Sequence, residues 1–278
     1  MQTKNPPSTR FSAELKAAEH MEPRFNLADY AVLMKPRVMS LVVFTALVGL
    51  LLAPGSIDPW TATAAIVFIA LGAGAAGAIN MWYDRDIDLQ MSRTMNRPLP
   101  AGRMRPGPAL AFGIIMALAA VSSMAYYVNL VSAALLLVTI LYYVFVYTVW
   151  LKRLTPQNVV IGGVSGALPP VVGWASVTGG IDSGALSLFL IIFLWTPPHS
   201  WALALYRRGD YEAAGVPMLP VAAGVQATKR RMTYYTALLL PATLIPVAIG
   251  ISGLVYAVVA LICALGFAFN SRRLWLAA

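Results

Sequence analysis

Apolar residues run along this chain in eight blocks of about 16 to 23, near 38–53, 61–83, 108–127, 130–150, 158–178, 184–205, 232–251 and 254–270. Each approaches the roughly 20 helical residues that cross a hydrocarbon core at about 1.5 Å per residue. Polar stretches separate them, together with breaks at Pro54-Gly55, Pro106-Gly107-Pro108 and Gly179-Gly180, residues that interrupt helices. The pattern predicts an all-α, polytopic transmembrane bundle over 38–270, with a polar tail over 1–37 and a short one over 271–278. The first tail mixes both charges and has neither an apolar h-region nor a small-residue cleavage site. It therefore reads as a cytoplasmic tail and not as a signal peptide. Glu14, Glu19 and Glu22 also argue against a mitochondrial transit peptide, although Phe11, Leu15 and Ala18 can form one weak amphipathic turn on the membrane surface.

Composition sharpens this picture. Of 278 residues 59% are hydrophobic and 11% charged, about half the charge of a soluble domain, which excludes a water-soluble enzyme. The single cysteine, Cys263, excludes an intrachain disulfide and a thiolate metal cluster. A net charge of +9 would suit nucleic acid, but loop charges that fix membrane orientation account for it. All 20 lysines and arginines fall in 1–37, 84–107, 151–157, 206–231 or beyond 270. An eight-span path puts all of these segments on one side, as the positive-inside rule requires, so both termini and the two long loops, 84–107 and 206–231, are expected on the cytoplasmic side of the membrane. Span interiors are nearly free of charge, unlike those of transporters with chemistry at the midplane.

The candidate chemistry lies in the same segments. Asn80, Asp84 and Asp88 are spaced four apart, so on a helix they line one stripe within about two and a half turns. Two carboxylates and an amide oxygen are hard ligands suited to Mg²⁺, commonly held by one or two carboxylates plus substrate phosphates; a solvated helix end would carry the same spacing. Asp86 points away from Asp84 and reads as structural. Arg93, Arg97, Lys152 and Arg153 follow nearby in the predicted topology and suit a polyphosphate, an arginine fork matching phosphate oxygens and lysine adding a point charge. Their plain alternative is topology alone. The small-residue run 70–78, and the prolines and glycines of 156–170, suit close packing. Trp195-Thr-Pro197-Pro198-His199-Ser-Trp201 places paired prolines and a histidine near the end of a span, where an ionisable group is a functional candidate. Asp210 and Tyr211 follow in the second long loop.

These stretches, with Lys35-Pro36-Arg37, Leu151 to Asn158 and Asp210 to Pro220, closely resemble the haem farnesyltransferase branch of the UbiA superfamily of intramembrane prenyltransferases. The resemblance runs from about residue 30 to 230. It implies a bundle of nine helices around a central cavity open to the cytoplasmic side, and Mg²⁺-dependent transfer of the farnesyl chain of farnesyl diphosphate to the 2-vinyl group of haem B. Haem A synthase would then act downstream, and no nucleic acid is involved. Because the chain ends at Ser271 to Ala278, the ninth helix is expected to be missing, leaving eight spans. Asn80, Asp84, Asp88 and Asp210 become the catalytic candidates, the first three as metal ligands. Arg93, Arg97, Lys152 and Arg153 become diphosphate ligands, and His199, Trp195 and Tyr211 haem contacts. Relatives that prenylate aromatic acids carry a second acidic motif where this chain reads Arg207-Arg-Gly-Asp210-Tyr211; Asp210 is therefore expected to act with basic partners. A prenyltransferase for a phenolic acceptor and a non-enzymatic haem carrier are the competing readings.

Overall fold

The structure is a computed structural model that describes residues 26–276. The predicted tail before residue 26, with its amphipathic turn and His20, lies outside them. The described residues form helices and no strands: α1 (Leu27–Leu33), α2 (Pro36–Leu52), α3 (Pro59–Tyr83), α4 (Arg85–Gln90), α5 (Pro106–Tyr127), α6 (Leu130–Leu154), α7 (Asn158–Ala167), α8 (Pro169–Thr178), α9 (Ser183–Tyr206), α10 (Arg208–Ala213), α11 (Leu219–Ala222), α12 (Gly224–Ala242), α13 (Ile245–Ala248) and α14 (Leu254–Leu276).

Helices occupy all eight apolar blocks, but the block at 232–251 is broken at Thr243-Leu244 into the end of α12 and the short α13. Six helical stretches are long and apolar enough to cross a membrane: α3, α5, α6, the pair α7–α8, α9 and α14. Helices α1 and α2, bent by 54°, make a seventh if they count as one span. The bend falls at Lys35, whose φ of 53° is the only positive value among the described non-glycine residues. Helix α12 fails the same test because Lys229, Arg230 and Arg231 lie within its first turns. Helix α9 runs on through Pro197 and Pro198, both buried.

The ends of the bundle differ in chemistry. At one end α3, α6 and α9 start from side-chain caps, Asp58, Asn129 and Asp182, which satisfy orphan N–H groups without any cation. The long loops and every described basic residue gather at the other end. Small residues let the helices between approach closely. Methyl groups added at Gly49 and Gly173 would overlap the carbonyl oxygens of Pro170 and Ala46 respectively, so α2 and α8 touch backbone to backbone. We expect Gly49→Ala to lower unfolding stability in detergent by about 1–3 kcal/mol, whereas Gly266→Ala, with nothing within 4 Å of its added methyl, leaves it unchanged or raises it. Thermal unfolding of the two variants checks this.

Candidate active site

Helix α3 ends where Asp84 departs from helical geometry (φ −85°, ψ 6°), and α4 restarts one residue later. The four-residue spacing survives the break because Asp84 N donates to Asn80 O at 2.9 Å and Asp88 N to Asp84 O at 2.8 Å. Asn80, Asp84 and Asp88 are consequently all buried, at 2%, 1% and 3% exposure, unlike a solvated helix end.

Burial of two carboxylates demands partners. Lys152 donates to Asp84 Oδ2 and Arg97 donates to Asp88 Oδ2 at 2.7 Å. A third cation, Lys35, donates to the amide oxygen of Asn80. Three basic side chains thus face two carboxylates, and this excess of basic groups favours an anionic ligand. Asp84 Oδ1 is buried without a hydrogen bond, with Arg153 Nη2 3.8 Å away. Such an unsatisfied oxygen is a hard ligand held ready. No group of three His, Cys, Asp or Glu side chains forms a metal site among the described residues, so Mg²⁺ here would need phosphate oxygens to complete its shell, its usual habit. The donor set of Asn80, Asp84 and Asp88 fits that ion.

Arg153 is largely taken up by Asp86, which accepts from both its terminal nitrogens at 2.7 and 2.8 Å. The pairing holds the Asp86 carboxyl below the usual carboxylate range. Next to this ionic cluster opens an apolar cavity, lined among others by Lys35, Val42, Ile69, Ala73, Tyr143 and Val172. Between Gly77 and Ile69 it follows α3 for eight residues, about 12 Å. Its floor, Ile69, Leu136 and Val172, belongs to the buried core beneath. An anion-attracting mouth above a long apolar slot suits an amphiphile with a charged head.

Other predicted residues are placed around this centre. Arg93 is exposed. Asp210 accepts from Ser92 Oγ at 3.1 and 3.0 Å and lies 3.9 Å from Arg207, so the two long loops meet there. Tyr211 packs with Ile87, Met91 and Trp201 beside the carboxylate stripe. Trp195 packs elsewhere, near Leu194, Leu239 and Ala242, and stacks on His199 with ring centroids 4.2 Å apart. The structure does not bring this stacked pair into contact with Asn80, Asp84 or Asp88. His199 is exposed.

Residues 42–278 match the UbiA prenyltransferase family. The chain belongs to that family. As a UbiA prenyltransferase it is an integral membrane enzyme. The protoheme IX farnesyltransferase of Parvibaculum lavamentivorans is 56% identical over 89% of this chain and 78% of its own length. That of Granulibacter bethesdensis is 52% identical over 94% and 82%. Among solved structures, a digeranylgeranylglyceryl phosphate synthase superposes with a TM-score of 0.73 at 20% identity, covering 89% of this chain and 87% of its own. A UbiA homolog from Archaeoglobus fulgidus bound to DMAPP and Mg²⁺ gives 0.70 at 18%, covering 88% of each chain. These two likenesses establish the UbiA fold.

Several residues of this UbiA site escape the sequence reading of its chemistry. Lys35 sits 45 positions before Asn80, and its charge looks topogenic. The signal was Lys-Pro at a helix start. Thr148, fully buried, accepts from Asn80 Nδ2 at 2.9 Å and hides in an apolar run. Asn158, read as packing, donates to the Lys152 carbonyl at 3.3 Å while its own side-chain oxygen is buried without a partner. Asp29, also buried, pairs with Arg103 at 3.0 Å and ties α1, which leads into Lys35, to the first long loop.

Proposed function

We propose that this chain transfers the farnesyl group of farnesyl diphosphate to the 2-vinyl group of haem B, with addition of water, giving haem O and diphosphate. The observation that carries the reading is the apolar cavity bordered by Lys35, which is joined through Asn80 to Asp84 and Lys152, so that a site for an isoprenoid chain adjoins one for its diphosphate. The acceptor comes from the relatives' name, protoheme IX farnesyltransferase.

Lys35, Arg97 and Lys152 bind the diphosphate, with Arg93 and Arg153 reinforcing them. Asn80, Asp84 and Asp88 would hold Mg²⁺, which when bound supplies charge neutralisation for the leaving group. The cations of the chain favour the same step, in which the carbon–oxygen bond breaks and its electron pair leaves with diphosphate. Apolar walls keep water from the allylic cation until capture. The terminal vinyl carbon of haem supplies the electron pair for the new carbon–carbon bond. Positive charge moves to the carbon beside the porphyrin ring, where water adds and releases a proton, so no enzyme nucleophile is needed. Trp195 and His199 support a haem role because indole faces suit a flat macrocycle and imidazole is a common iron ligand. Tyr211 lines the haem from the carboxylate side, and Asp210, held by Ser92 and Arg207, joins the catalytic group from the second loop. The basic end faces the cytoplasm of a bacterial inner membrane with both termini, and haem O passes on to haem A synthase.

Purified protein given haem B, farnesyl diphosphate and Mg²⁺ should yield haem O and free diphosphate. Prenylation of a phenolic acceptor with haem untouched would move the chain to the other UbiA chemistry, and haem binding without diphosphate release would make it a carrier.

A further inference from the structure

Hydroxyl groups within these helices usually bond the carbonyl four residues back, as Thr139 does to Leu135 and Thr196 to Ile192. Thr148 bonds five back, to Tyr143 O at 2.8 Å, because residues 142–151 of α6 are wound as a π-helix. Insertions of this wider winding are rare and frequent at functional sites. With its proton committed to Tyr143, the Thr148 oxygen presents only lone pairs to its other side. There it accepts from Asn80 Nδ2, whose remaining N–H goes to Asp84 Oδ2 at 2.8 Å. Both amide hydrogens of Asn80 are therefore used, and its oxygen is left facing Lys35.

We propose that Thr148 is a positioning residue that fixes the direction of the Asn80 amide, so that its oxygen stays turned into the site when Lys35 leaves it for a substrate phosphate. The inference rests on the reading that Asn80 ligates the metal. Once Lys35 turns to an anion, only the two bonds from Nδ2 oppose rotation of the amide. Without Thr148, one of these hydrogens becomes a buried donor lacking a partner, a costly arrangement that rotation relieves by withdrawing the oxygen. Partners outside the first ligand shell act on metal sites in this way, commonly for about 10- to 100-fold in affinity or activity.

The probe is Mn²⁺ with inorganic diphosphate, followed by electron paramagnetic resonance on the purified full chain, which needs no haem and no turnover. Thr148→Val, which keeps the shape and removes the acceptor, should weaken Mn²⁺ binding about tenfold. Thr148→Ser should restore it, and prenyl diphosphate KM at saturating Mg²⁺ should hardly change. Thr148→Ala serves the same purpose if the valine variant does not fold. Mn²⁺ affinity equal to that of the wild type in a folded Thr148→Val or Thr148→Ala protein overturns the proposal while leaving the metal reading intact. Failure of serine to restore binding also overturns it. A wild-type chain that binds no Mn²⁺ beside diphosphate overturns the metal reading and the proposal with it.

Discussion

Asp84→Asn should lower prenyl transfer by about 100- to 1,000-fold, the scale on which removal of one preorganised charge contact acts. The substitution keeps the shape and removes the charge from a side chain at 1% exposure. It takes the counterion from Lys152 and replaces the free, buried oxygen with a poorer ligand. Asp86→Asn is the matched comparison two residues on: its side chain is 57% exposed and engages Arg153 alone among the described ion pairs, so turnover should fall less than about threefold. Measured release of diphosphate from both purified variants decides the matter. Equal, near-normal rates would make the stripe a helix end and nothing more.

The second large effect belongs to the cavity. Ala73 lines it from α3 and is only partly buried, so Ala73→Phe places a ring in the slot without entering the tight core below. Turnover with farnesyl diphosphate should drop about 100-fold, since the chain then has to be bound in a filled pocket. Inorganic diphosphate, which uses only the ionic mouth, should bind as before. A diphosphate with a five-carbon chain should compete as well against the variant as against the wild type. Undiminished farnesyl transfer would show that the isoprenoid chain lies elsewhere.

How far the sequence revealed this site depends on which forces had a local signature. The eight apolar blocks became helices because length and continuous hydrophobicity are local properties. The stripe of Asn80, Asp84 and Asp88 was legible because its spacing repeats the helical turn, and the structure keeps that turn across the break at Asp84. Lys152 and Arg97 could be grouped with it through the alternation of spans. Lys35 was not legible as part of the cluster: it comes to Asn80 only through the left-handed bend before Pro36, and a lone lysine before a span looks like any loop charge. Thr148 was hidden for another reason. A π-helix shifts the helical period within Tyr142–Leu151, and apolar neighbours on all sides give no sign of the shift. The start of α12 was missed because its helix extends through Lys229, Arg230 and Arg231, charges that hydropathy assigns to a loop. The pairing of Asp29 with Arg103 was hidden because 74 residues separate them and nothing local marks the contact.

The backbone contact between α2 and α8 has a bearing on how a long substrate gets in. Gly49 and Gly173 lie just beneath the cavity floor at Val172, each against a carbonyl of the other helix. Interfaces of this kind leave no side chain that can rotate out of the way. They act as a fulcrum, not as a sliding seam. Above it α2 is held by its packing on α3, by Val42 against the core, by the bend at Lys35 and by the short α1, the last tied down through Asp29 and Arg103. If the proposed isoprenoid enters the slot from the membrane, this fixed contact confines any tilt of α2 to the half above Gly49, like a door hung at its foot. Lys35 stands on that upper half, so the same tilt would part it from Asn80, and the ionic mouth and the apolar slot share one hinge.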